Sequence, residues 1–233
     1  MPQREDEKEP REVAEEGVEE GAEEEEEGED ADDGCDDVQE LLARDDAVIE
    51  CVPNISEGRD AQVVEAVAAA ARGVAGCTLL DVSSGADTHR TVLTLAGAPA
   101  AVLAAAQALA AAAAARIDMR RHAGAHPRLG ALDVCPLVPV RGLSLRQCAL
   151  LARELARRIA EALDVPVYLY GAAVAPGPER DHRRTAPQIR AGEYEGLAKK
   201  VSARSLAAAA PTTTPLFRAP PQMARSAEMG KLL

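Results

Sequence analysis

The chain has 233 residues, with 39 acidic and 26 basic side chains and a formal net charge of −13. Its aromatics are Tyr168, Tyr170, Tyr194 and Phe217, with no Trp, so an aromatic platform for stacking single-stranded nucleic acid is excluded. The longest apolar run, Ala108 to Ala115, is Ala-rich and well short of the roughly 20 apolar residues of a membrane span.

The negative charge is confined to one end. The first 46 residues carry 23 acids and four bases, whereas the remaining 187 carry 16 acids and 22 bases, a net of +6. Residues 1–46, with Glu23 to Glu27 in a row, bury too little apolar surface to offset chain entropy and repulsion, and are expected to form an acidic disordered tail. Ala47 to Val52 reads as a strand stopped by Pro53. Asp60 to Arg72 reads as a helix with Val63, Val64, Val67 and Ala71 on one face and Gly73 and Gly76 beyond its end. Cys77 to Val82 and Thr91 to Leu95 read as strands joined by a polar turn. Pro99 to Arg116 is helical by its alanine content. Val134 to Val140 is a strand interrupted by prolines. Ser144 with Gln147 is a capping box opening a helix to Leu163. Val165 to Tyr170 reads as a further strand, and 185–200 as a last helical piece. From residue 201 the composition turns to Ala, Pro and Thr, a second disordered tail.

This order predicts one α/β (α+β) domain over residues 47–200. Its mixed β-sheet has helices packed on one face, with a ferredoxin-like βαββαβ start followed by an extra αβα. Five widely spaced cysteines, mostly within apolar runs, suit reduced thiols better than a disulfide frame. The N-terminus has no basic and apolar signal pattern, which predicts a cytoplasmic protein.

The densest chemical signal is Asp118 to Asp133, which packs His122, Gly124, His126, Arg128 and Gly130 between a helix and a strand. His126 precedes Pro127, which holds its backbone extended, so His122 and His126 are not expected to be an i, i+4 metal pair; with Asp118 or Asp133 they could meet a metal in a loop, but spacing alone is weak evidence and no metal is expected. Imidazole titrates near neutrality and Arg can hold a carboxylate through two parallel hydrogen bonds. His126 and Arg128 therefore suggest proton transfer on an anionic substrate. A second cluster, Asp87 to Arg90, lies in the turn before the strand at Thr91. A third runs from Arg180 to Arg190, and can be read as carboxylate recognition or as a solvated face. His89 and His182 read as surface or hydrogen-bonded structural imidazoles.

ECVPNISEG (Glu50 to Gly58), LLDV with HRTV (Leu79 to Val82, His89 to Val92), IDMRRHAGAHPRLGALDVCPLVPVRG (Ile117 to Gly142), DVPVYLYG (Asp164 to Gly171) and IRAGEYEGL (Ile189 to Leu197) resemble the N-terminal subdomain of glutamate formiminotransferase. The resemblance implies transfer of a formimino group from N-formiminoglutamate to tetrahydrofolate, a folate co-substrate and no metal. It implies His126 as the general acid/base, with Arg128, His122, Arg90, Gly124 and Gly130 around the substrates. In several positions the chain departs from the family pattern: Ser83, His89, Ala172 and the 175–181 loop. The resemblance is expected to stop after Lys200, so the family's second subdomain is unaccounted for. Three readings follow: a folate-binding, formiminotransferase-like protein with little turnover of its own; a transferase completed by a homodimer or a separate chain; or a non-catalytic interaction module.

Overall fold

The computed structural model describes residues 33–174 and 185–197. Residues 1–32 of the expected 1–46 acidic tail, residues 180–184 of the Arg180 to Arg190 cluster, and the Ala/Pro-rich segment from 201 lie outside the described residues. The fold is α+β. Its strands are β1 (Val48–Cys51), β2 (Asn54–Ile55), β3 (Cys77–Gly85), β4 (Arg90–Gly97), β5 (Leu132–Val134) and β6 (Leu137–Arg141). Its helices are α1 (Val38–Leu42), α2 (Ala61–Arg72), α3 (Pro99–Arg116), α4 (Leu145–Leu163) and α5 (Ala186–Arg190).

Two of the strands are broken by proline, which has no N–H to give to a ladder. The strand expected to stop at Pro53 resumes as β2, and Pro136 separates β5 from β6. These broken strands lie side by side, β1 against β6 and β2 against β5. On the other side β1 and β2 both pair with β4, which in turn pairs with β3 at the outer edge. The order β5/β6, β2/β1, β4, β3 is that of a split βαβ domain. Each of these pairings is antiparallel, because each crossover places its two strands on either side of a third running the other way. The strand expected over Val165 to Tyr170 is reduced to a single bridge residue, Val167. Pro166 removes a donor from it.

Strand alternation decides which face is covered. Ile49 and Cys51 of β1 and Leu93 and Leu95 of β4 have no exposure and face the helices. Along α3, Val102, Leu103 and Leu109 are fully buried, and so are Ala105, Ala106, Ala110 and Ala113 on the same side. Small side chains let this helix pack closely against both α2 and α4 while covering the sheet. α4 opens with the expected capping box, Ser144 and Gln147 each bonding the other's backbone N–H. The opposite face of the sheet carries Val138 and Val140, which with Leu80 of β3 are 41%, 57% and 61% exposed.

The folded unit begins earlier than residue 47. Asp37 caps α1 by accepting from the Gln39 N–H, and Leu41 and Leu42 enter the core. Here the acids have partners instead of repelling one another: Asp33 pairs with Arg44 and Asp36 with Arg146. The Gln147 amide donates to Asp33 at 2.6 Å. Charge counting over 46 residues averages away this local apolar pair and its cap.

Candidate active site

One end of the sheet gathers the end of β2 and the starts of β4 and β5, since β2 runs antiparallel to both. Glu57 follows β2 at the entry to α2. Its Oε1 accepts the backbone N–H groups of Gly58, Arg59 and Asp60 at 2.9, 2.8 and 3.0 Å. Burial pushes the Glu57 carboxyl up, but these amide donors and the neighbouring His89 ring outweigh it and hold it below its ordinary range. Ser56 fastens the far loop to this end: its N–H donates to the Ala131 carbonyl at 2.9 Å and its hydroxyl to the Gly130 carbonyl at 2.8 Å.

Two histidines then stack. His89, in the left-handed region at φ +50°, has Nδ1 3.1 Å from the Ala123 carbonyl and Nε2 2.9 Å from Glu57 Oε1. Both partners accept, an arrangement satisfied by a ring that donates from both nitrogens. The His122 ring lies parallel to it with centroids 4.1 Å apart. His122 Nε2 donates to the His89 carbonyl at 2.8 Å, while its Nδ1 accepts from Arg128 Nε at 3.2 Å. Burial, followed by the neighbouring His89 and Arg128 charges, lowers the His122 pKa despite the bond to the His89 carbonyl, consistent with a neutral ring. Gly124 completes the contact between the loops: a Cβ there would stand 2.5 Å from the Thr88 carbonyl oxygen. The Ala125 N–H donates to the Asp87 carbonyl at 3.0 Å.

This zipped pair of loops sets His126 against Arg90. Arg90 Nη1 is 2.6 Å from His126 Nε2, and a guanidinium only donates, so Nε2 presents its lone pair and is unprotonated. Burial first, then the charges of Arg90 and Arg190, lower the His126 pKa. Arg190 is held by Asp133, Nε to Oδ1 at 3.1 Å and Nη2 to Oδ2 at 2.5 Å. Asp133 also accepts the Leu129 N–H at 3.0 Å. Beside this ion pair lies a cavity of about 240 Å³, lined by Tyr168, Tyr170, Cys135 and aliphatic residues of α4.

The structure thus brings His126, Arg90, His122 and Gly124 together, with roles that differ from residue to residue. His122 has both ring nitrogens engaged and supports the loop. Arg128, expected to hold a substrate carboxylate, has its donors engaged already. Nη1 meets Glu193 at 2.5 Å and Glu195 at 3.0 Å; Nη2 meets Glu195 at 2.7 Å and the His122 carbonyl at 3.1 Å. Gly130 is buried, with its carbonyl taken by Ser56. Glu57, Glu193 and Glu195 join the site without having been assigned a place in it from the sequence, whereas Asp133 closed the 118–133 segment and Arg190 the cluster read as carboxylate recognition or a solvated face, and the structure pairs these two with each other. The one available signal was that a buried guanidinium needs carboxylate partners, and Glu193 and Glu195 flank Tyr194 in the last motif. No group of three or more His, Cys, Asp or Glu among the described residues is disposed to hold a metal ion.

Residues 48–223 match the formiminotransferase domain, N-terminal subdomain, so the similarity runs past Lys200, where it was expected to stop. Over 154 residues the chain is 50% identical to formimidoyltransferase-cyclodeaminase of Rattus norvegicus, covering 66% of this chain and 28% of the relative. The protein of that name in Dictyostelium discoideum is 46% identical over the same shares. Glutamate formimidoyltransferase of Streptococcus pyogenes serotype M1 is 38% identical over 154 residues, 66% of this chain and 50% of the relative. The matched part therefore spans between about a quarter and a half of these relatives' lengths.

Proposed function

Because this chain belongs to the formiminotransferase family through its N-terminal subdomain, we propose that its site serves transfer of a formimino group from N-formiminoglutamate to tetrahydrofolate. The observation that carries this reading is the 2.6 Å contact of Arg90 with His126 Nε2, a cation holding an imidazole in its unprotonated form. A base in that form is ready to take a proton. In the transfer, a bond forms between N5 of tetrahydrofolate and the amidine carbon, and the carbon–nitrogen bond to glutamate then breaks. His126 takes the proton from N5 and returns it to the leaving glutamate nitrogen, so it ends each cycle neutral.

Arg90 supplies the trigger. A substrate carboxylate is a better partner for a guanidinium than an imidazole nitrogen is, so binding draws Arg90 from His126 and frees the Nε2 lone pair. Arg190 stays paired with Asp133 and keeps a second positive field near the ring. Both substrates bear glutamate carboxylates, and the net +6 of residues 47–233 suits them.

The second reading is an interaction module without turnover, favoured by Arg128, whose engagement by Glu193 and Glu195 removes an expected carboxylate clamp. Incubation with formiminoglutamate and tetrahydrofolate separates the two. The transferase reading expects 5-formiminotetrahydrofolate from the wild type and none from His126→Ala. No product at high protein concentration, with no heat on titrating tetrahydrofolate, would reject self-sufficient catalysis and favour the second reading instead.

A further inference from the structure

Away from His126, two thiols meet inside the sheet. Cys51 ends β1 with no exposure, and Cys135 lies in the break between β5 and β6, half-buried and lining the cavity. Their sulfurs are 3.5 Å apart. All five cysteines are free, and among the described residues no other pair of them makes such a contact. Strand alternation explains the meeting. Cys51 is in register with Leu137, the Val52 N–H donates to the Pro136 carbonyl at 3.2 Å, and Cys135, two residues before Leu137, falls on the face on which Cys51 lies.

We propose that Cys51 and Cys135 are a dithiol that hydrogen peroxide oxidises to a disulfide, with Cys135 oxidised first and Cys51 resolving it. The order follows from access: Cys135 borders a cavity that admits a small polar molecule, whereas Cys51 is sealed. Its contact with Cys135, then burial, raise the Cys51 thiol well above its ordinary pKa. In the first step the Cys135 sulfur, as thiolate, attacks one peroxide oxygen. A sulfur–oxygen bond forms, the oxygen–oxygen bond breaks, and hydroxide leaves to be protonated to water. In the second, the Cys51 sulfur attacks the sulfenic sulfur of Cys135. The sulfur–sulfur bond forms, the sulfur–oxygen bond breaks, and hydroxide departs with the Cys51 proton as water. Two thiols lose two electrons and two protons, and one peroxide becomes two waters.

Closing 3.5 Å to a bond of about 2.05 Å asks roughly 1.5 Å of sulfur travel. Cys135 has the freedom to supply it, because it belongs to neither β5 nor β6. Neither the proposal nor its test depends on the transferase reading.

The test exposes the native 233-residue chain to hydrogen peroxide, alkylates the remaining thiols after unfolding, and maps peptides by mass spectrometry. The expected result is a Cys51–Cys135 cross-linked pair lacking two hydrogens and reversed by dithiothreitol. Cys51→Ser should then accumulate a Cys135 sulfenic acid that dimedone traps, while Cys135→Ser should leave Cys51 reduced. Cys77, half-exposed without a thiol partner, serves as the reference for unpaired oxidation. A wild type in which Cys51 and Cys135 stay alkylatable after Cys77 has reacted overturns the proposal. So does pairing of Cys51 with Cys148 or Cys77.

Discussion

Arg90 sets the electrostatics of the His126 ring, and this gives a signed expectation. Burial, Arg90 and Arg190 all lower the His126 pKa, so the acid limb of kcat/KM should lie below the ordinary imidazole value of about 6.5. Arg90→Met removes a cation, and the limb should move up towards that value as turnover falls. A limb that stays put or moves down contradicts the assignment. Arg128 has a different task. Arg128→Met leaves His122 Nδ1, Glu193 and Glu195 without their common donor, and should lower stability by about 1 to 3 kcal/mol, read as a drop in Tm. The two glutamates are 42% and 67% exposed and can rehydrate, which places the value in that range instead of higher. Composition singled out His126 and Arg128 equally well, because a charged residue beside a histidine looks the same whether its donors are free or engaged. Only the fold, by bringing residues 193–195 over Arg128, separates them.

Among the elements, the contact between the β3–β4 turn and the 122–126 loop controls the site most directly. Gly124→Ala would force a Cβ to 2.5 Å from the Thr88 carbonyl oxygen and 2.7 Å from His89 Cβ, so the loops must part. A displacement near 1 Å at a catalytic group can lower rate by about 100-fold, and G124A should approach this with Tm reduced only modestly. An unaltered rate would show that the loops are not coupled. At α4, Ser144→Ala removes one half of the capping box and should reduce stability by about 1 kcal/mol without touching the site. Helices α2, α3 and α4 were legible because capping residues, alanine content and apolar periodicity act locally. The extended stretches were harder: β2 has only two residues and exists because β4 and β5 flank it. The apolar run from Val165 to Tyr170 lacks such flanking strands and stays irregular beyond Val167. Leu41 and Leu42 were hidden by the charge around them, since burial of two side chains on α3 and α4 is a tertiary effect.

For the whole molecule, protonation and stability are linked. His122 and His126 have folded pKa values below their ordinary range, so the unfolded chain binds their protons more readily. Their contribution is complete above about pH 6.5 and is lost as pH falls towards the folded values. The urea midpoint should therefore decline from pH 7.5 to 5, and a flat or rising midpoint would contradict the neutral assignment of the two rings. The matched part spans 28% of the rat relative and 50% of the streptococcal one, and the outer sheet face leaves Val138 and Val140 exposed. A wall supplied by a second copy or another chain would cover such a face, and size-exclusion chromatography with and without both substrates should show a larger species if it does. In the proposed transfer, the unprotonated His126 imidazole carries the proton between two nitrogens. The deciding measurement is the pH dependence of 5-formiminotetrahydrofolate formation in the wild type and in His126→Ala. An acid limb below pH 6.5 is expected in the wild type, with no measurable transfer by the variant at any pH; a variant that keeps both the rate and the limb would remove His126 from the proton transfer.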